Sequence, residues 1–416
     1  VQAVKKSQCN PELVRKIYHS SLFGFAIVCN FSISLSQISL GIALLCAIYL
    51  YNKEQLELVP AAFNKAYGFL FLAAFLSVFQ ADHKSVALEE LIKYSMILVF
   101  YLPFLACLTE DFKKKMLIAL IATASLTSVF AIANVFAGNM LNDRAKGFFS
   151  TSITYGECQA MVALLIATVI LSGYNNKKHL LALISAFILV TGAMISTMAR
   201  GAWLGFACGL IVLTVRFPRK MLPLIMVLAV SVGPIIWFTP SLRSRIESLS
   251  LSRNLANAPK NIEGNFESAA MQSNFERLLI WTRGFIIASP QPNFGIGLKN
   301  VKPKYRELAT DYEKFEDRLI YGHQHSNFMQ FFVETGFLGL SAFFIFLIAF
   351  LRFLLSGWKA DSSINTALNA GALAIFVCFI ATGLTEHSWS DEEVAMMAFF
   401  LTGLLLGACN LKAIKV

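Results

Sequence analysis

An all-α, polytopic membrane protein with about twelve transmembrane helices and one large helical periplasmic loop is the fold that three observations predict. The 416 residues are 56% hydrophobic and only 14% charged, with a mean hydropathy of +0.63, whereas soluble domains carry roughly a quarter charged residues. The apolar residues fall in repeated runs, and crossing a bilayer takes about 20 such residues in a helix. Lys and Arg are distributed unequally between alternate connections of those runs, which is how orientation is encoded.

The runs cover 18–34, 37–51, 65–80, 91–108, 116–137, 157–173, 179–198, 201–215, 221–238, 327–355, 366–385 and 393–410. A basic stretch (Lys5, Lys6, Arg15, Lys16) before the first run resembles a signal peptide. The hydrophobic segments that follow, without a cleavage pattern, predict a retained first helix instead. Ser34, Leu35, Ser36 and Gln37 predict a hairpin between the first two helices.

With twelve spans and both termini in the cytoplasm, the cytoplasmic segments hold eighteen Lys and Arg and the short outer segments five. Merging the first two helices would reverse that bias. The net charge of +10 therefore reads as topology rather than as a nucleic-acid partner. Seven of the eight cysteines fall inside apolar runs and no CxxC occurs, so neither a disulfide framework nor a zinc site is predicted.

The expected organisation is one integral membrane unit in three parts: residues 1–238 with helices 1–9, a periplasmic loop over 239–325, and helices 10–12 over 326–416. Thr239 to His323 is too long for an ordinary connector and so predicts a functional segment. Within it Phe266 to Ser289 predicts a helix with an apolar stripe of Phe275, Leu278, Leu279 and Ile286, stopped by Ser289 and Pro290. Asn293 to Gly297 predicts a turn, and residues 302–318 a surface helix.

Several polar residues stand out against this background. Arg200 sits in a very short outer turn between two apolar runs, where an arginine faces either a polar cavity or the interface it snorkels to. Arg144 and Lys146 precede Gly147 and a hydroxyl-rich stretch that suits a phosphate or plain solvent. Arg277 and Trp281 share a helix face, and Arg277 has either an anionic ligand or Glu276 or Glu267 to pair with. His323 and His325 precede Asn327 and Gln330, whose spacing predicts a helix cap. His325 then lies at the outer N-terminus of a membrane helix, where a neutral imidazole is fit for a general base and the alternative is an interfacial histidine. Glu386, His387, Asp391, Glu392 and Glu393 form an acidic outer loop, read as a hydrated loop ahead of a divalent-metal site. Asp311-Tyr312-Glu313 is a short acidic pair of weaker promise.

The stretch His323 to Gly339, with a histidine, a polar cap, an aromatic and then Glu334-x-Gly336-x-x-Gly339, resembles the signature of the O-antigen ligase and polymerase superfamily. Arg277-x-x-x-Trp281 followed by Gly295-x-Gly297 resembles the family's loop motif, and Arg200-Gly201 its arginine at the end of a membrane helix. Many members place Asn directly after the histidine, whereas here Ser326 intervenes before Asn327.

The resemblance implies an inner-membrane enzyme of lipopolysaccharide biosynthesis with a periplasmic active site. It would transfer a glycan from an undecaprenyl-pyrophosphate-linked donor to lipid A–core, with inversion and without metal or cofactor, among membrane lipids. It makes His325, Arg200 and Arg277 the expected catalytic residues, and Arg144, Lys146, Trp281, His323 and Asn327 the expected substrate-binding residues. An O-antigen polymerase or protein O-oligosaccharyltransferase is the near alternative. A transporter or flippase is the distant one, and it would carry charges and broken helices near the bilayer midplane.

Overall fold

In an apolar surrounding every backbone amide needs a partner within its own segment, which leaves helices as the economical solution for this chain. The computed structural model describes residues 10–56, 63–138, 144–173, 177–238, 269–309, 321–359 and 363–407. Among them there are helices and turns and no strand. In chain order the α-helices are α1 (Pro11–Val28), α2 (Ile33–Asn52), α3 (Phe63–Val78), α4 (Lys84–Lys93), α5 (Leu98–Leu105), α6 (Glu110–Phe136) and α7 (Ser152–Leu171). They continue as α8 (Lys177–Ser196), α9 (Arg200–Arg216), α10 (Pro218–Phe238), α11 (Ala269–Ala288), α12 (Val301–Leu308), α13 (Asn327–Ser356), α14 (Ser363–Thr382) and α15 (Glu392–Leu406).

The all-α, multi-pass character holds, but the expected count of about twelve spans does not. Six described helices are long and apolar enough to cross a membrane: Ile33–Asn52, Glu110–Phe136, Ser152–Leu171, Lys178–Ser196, Asn327–Ser356 and Ile364–Thr382. An apolar run is not the same thing as one continuous helix. The run 91–108 is divided between the end of α4, a 3-10 turn (Tyr94–Ile97) and the eight-residue α5 with Pro103 inside it. The run 201–215 lies in a helix of 17 residues, and of the runs 65–80 and 393–410 the described helices cover only Phe63–Val78 and Glu392–Leu406, 16 and 15 residues long. The one large helical periplasmic loop likewise reduces to what the fold contains, α11 and α12. These pack on each other, and α11 packs on α13. Residues 239–268 and 310–320, with Glu267, Asp311, Tyr312 and Glu313, lie outside the described residues.

The first hairpin turns earlier than expected. Residues 29–32 make the turn, Ser32 caps α2 by accepting from Leu35 N, and Ser34 to Gln37 already belong to the helix. A serine side chain satisfies one of the unpaired N–H groups at a helix start, so the cap falls where a serine can reach one.

The interior is built by residues that let helices approach closely. Gly201, Gly205 and Gly209 recur every fourth residue on α9. A Cβ at Gly205 would stand 2.9 Å from the Cys378 carbonyl of α14, and one at Gly209 2.9 Å from that of Ala374. Gly371 of α14 does the same against Thr168 of α7. Small residues at this spacing are the usual means of helix association where lipid removes the hydrophobic drive. The most buried span is α7, at 89%, against 28% for α2 on the periphery.

One helix is interrupted. Gly336 in α13 has φ 66° and ψ −165°, which breaks the ladder. The freed groups pair with the turn at 292–297. Ile296 N donates to Val333 O (3.0 Å), Gly297 N to Glu334 O (3.0 Å), Phe337 N to Pro292 O (2.8 Å) and Leu338 N to Asn293 O (3.1 Å). A Cβ on Gly295 would lie 2.5 Å from the Glu334 backbone, and one on Gly336 2.4 Å from Asn293. The two glycine motifs therefore form one interlock. At 1.5 Å per residue α13 is about 45 Å long, more than a ~30 Å hydrocarbon core requires. The part after the break can span on its own, which leaves the part before it to build a site.

Candidate functional site

The site grows from the four residues before α13. Gln324 is buried and held on both sides, its N–H donating to Gln330 Oε1 (2.7 Å) and its carbonyl accepting from Trp281 Nε1 (2.8 Å). Asn327 N donates to Gly383 O (2.7 Å). Between these fixed points His325 takes φ +46°, a left-handed conformation that is costly for a residue with a Cβ and typical of functional positions. The expected Asn327–Gln330 cap is not formed. Ser326 occupies the cap position, Asn327 Oδ1 accepts from Trp389 N (3.0 Å), and Gln330 serves Gln324.

Facing His325 is Glu386, which the acidic-loop reading assigns to a hydrated loop. Glu386 is only 8% exposed. Its Oε2 lies 3.0 Å from His325 Nδ1 and its Oε1 2.5 Å from Arg277 Nη2. Its position follows from Trp389, which is buried among Phe331, Phe343, Phe346, Phe379 and Phe399 and pins the loop between α14 and α15. Burial pushes the Glu386 carboxyl up, but the hydrogen bond from His325 and the Arg277 charge outweigh it and hold the group below its ordinary value. Glu386 is thus ionised at neutral pH and can only accept. In a neutral His325 ring the proton therefore sits on Nδ1 and Nε2 keeps its lone pair, the tautomer a general base requires.

The helix that carries Arg277 and Trp281 turns that face inward. Gly284 continues it, since a Cβ there would stand 2.5 Å from Gln324 Oε1. The expected apolar stripe is consequently not the buried one. Ile280 and Ile287 are buried, whereas Leu278 and Ile286 are exposed at 39% and 51%. Arg283 lies off this face, its guanidinium 4.8 Å from the Tyr305 ring centroid. Replacing Trp281 with Phe keeps the ring and removes the N–H that holds the Gln324 carbonyl. This should cost about 1 kcal/mol of stability and roughly tenfold in turnover through a displaced His325. A thermal melt and kcat of the variant check this; unchanged turnover would dissociate Trp281 from His325.

The remaining candidates surround this core. Arg200 opens α9, and Gly201 abuts the Glu386 loop, a Cβ there lying 2.5 Å from Thr385 Oγ1. Arg144 Nε donates to Thr197 O (2.7 Å) and Ala145 N to Ser196 O (2.9 Å), which holds the turn leading into Arg200. Lys146 is exposed. The His323 ring lies 4.2 Å from that of His325 and 6.2 Å from that of His387. Loss of hydration and then the neighbouring His325 pull the His323 pKa down to about 4, and burial lowers that of His387 well below its ordinary value. Both rings are therefore neutral at pH 7. Among the described residues no group of three or more His, Cys, Asp or Glu is arranged to hold a metal ion.

A cavity of about 540 Å³ opens beside His325, lined also by His323, Glu386, Thr151, Glu157 and Asp391. Thr151 and Asp391 are the N-caps of α7 and α15. With α13 beginning after His325 and α9 at Arg200, four helix N-termini gather at this end, and their dipoles favour negative charge there.

Residues 185–344 match the protein family described as O-Antigen ligase. The matched stretch contains Arg200, Arg277, Trp281, His323, His325 and Asn327, crosses the expected boundaries at 238 and 325, and ends before Glu386. No curated protein matches the chain. The chain is thus a multi-pass membrane protein of which residues 185–344 match the O-antigen ligase family.

Proposed function

We propose that this protein transfers a glycan from an undecaprenyl-pyrophosphate-linked donor to a sugar hydroxyl of lipid A–core. The observation that carries the reading is the His325–Glu386 pair at 3.0 Å beside the cavity, within reach of cationic groups. His325 Nε2 takes the proton of the acceptor hydroxyl as its oxygen bonds to the anomeric carbon. The bond from that carbon to the pyrophosphate oxygen breaks, the electron pair leaves with the pyrophosphate, and the configuration inverts. Glu386 stabilises the imidazolium that forms.

Pyrophosphate is already a good leaving group, so the protein's main task is to neutralise its charge and position the acceptor. Arg200 and the converging helix N-termini serve the pyrophosphate, with Arg144 bracing the turn and Lys146 in support. Arg277, one of the expected catalytic residues, is engaged by Glu386 and keeps that carboxylate ionised. The far ends of the helices carry Lys113, Lys114, Lys115, Arg216, Arg219, Lys220 and Arg352. That bias supports a cytoplasmic face there and a periplasmic site in the bacterial inner membrane.

The test is transfer by purified protein from a synthetic undecaprenyl-pyrophosphate glycan to lipid A–core, with EDTA present. Turnover that survives chelation is expected. Transfer only to a second donor glycan or to a peptide would reassign the protein to a polymerase or a protein oligosaccharyltransferase.

A further inference from the structure

The cavity holds a second set of groups that proton transfer does not use. Glu157 lies in the second turn of α7, 2% exposed, and lines the cavity. Its Oε1 has no hydrogen-bond partner, a costly state for a buried carboxyl oxygen. One turn earlier Thr154 donates to Asp391 Oδ2 (2.7 Å) and shares a hydrogen bond with Thr151 (2.9 Å). Ser388 and Ser390 complete this wall. Ionisable groups placed inside a membrane bundle are by default functional.

We propose that Glu157, with Asp391 and Thr154, forms a subsite for the hydroxyls of a neutral sugar ring, set beside His325 in the same cavity; this rests on the glycosyl-transfer reading. The ligand class follows from the charges around the wall. The ionised Glu386 beside this wall repels a phosphate, which separates this subsite from the arginines. Lys93 and Lys299, which line the same cavity, weigh against an ammonium ligand. What remains is a neutral polyol. A carboxyl group accepts from sugar hydroxyls, and threonine and serine hydroxyls both donate and accept, which matches the two-way chemistry of a sugar O–H. A volume near 540 Å³ is within the range of small-ligand sites.

The sugar can come from the acceptor or from the donor glycan, and direct binding separates the two. Full-length protein in nanodiscs would be titrated with lipid-free core oligosaccharide and, separately, with lipid-free donor repeat glycan. Wild type should bind one of them, and Glu157→Leu should weaken that binding at least tenfold while Glu157→Gln weakens it less. The leucine variant should melt no lower than wild type, because an apolar residue of similar volume replaces a buried polar group. In the transfer assay its KM for the bound partner should rise with kcat nearly kept. Wild type that binds neither glycan overturns the subsite, as does a leucine variant with wild-type affinity. Should that variant lose its melting transition, wild-type affinity in Glu157→Gln overturns it equally. Glycan binding without transfer would defeat the proposed reaction and leave the subsite standing.

Discussion

Replacing His325 with alanine should lower glycan transfer by roughly 10²–10⁴-fold, the usual contribution of a positioned general base. The loss should fall on kcat, with KM for either substrate little changed, because the proton moves only in the transition state. Glu386→Gln should cost about 10²-fold, since the amide neither stabilises the imidazolium nor enforces the Nδ1–H tautomer, and it leaves Arg277 facing a neutral group. If the two residues act as a unit, the double variant should be no slower than His325→Ala alone. Additive losses would separate Glu386 from the histidine. A His325→Ala enzyme within threefold of wild type would remove the base altogether.

The second large effect should come from a residue that touches no substrate. Gly336→Ala places a Cβ at φ 66° and ψ −165°, a region essentially confined to glycine, and 2.4 Å from the Asn293 backbone. The turn at 292–297 and the break in α13 would have to part, at a cost of about 3 kcal/mol or more. The apparent melting temperature should fall by roughly 3–4 °C. Turnover should fall with it, because α11, which carries Arg277 and Trp281, is linked to α13 through that turn. Gly192→Ala is the matched control, since its Cβ would meet nothing within 4 Å. Equal melting temperatures for the two variants would show that the interlock does not hold the site.

Parts of this site were readable one residue at a time. Arg200 in a short turn between apolar runs, and His325 before a helix start, are unusual enough locally to draw notice. Glu386 was not, because an acidic residue in a short outer loop has the signature of solvation. Its burial is created by Trp389 three residues later, and a tryptophan in so polar a loop was the one local hint. The cap assigned to Asn327 failed for a related reason. Its side chain is taken by the Trp389 amide, 62 residues away in sequence, and that tertiary partner overrides a local motif.

The sequence by itself determined an all-α, multi-pass protein, because hydropathy and charge are summed along the chain and need no knowledge of neighbours. It also brought forward the glycine motifs at Gly295 to Gly297 and at Gly336 to Gly339. Only the tertiary structure decided that these motifs close on one another, that six of the described helices rather than twelve meet the requirements of a span, and that His325 faces Glu386. Helix continuity and the choice of hydrogen-bond partner depend on packing between distant segments. No window along the chain contains that information.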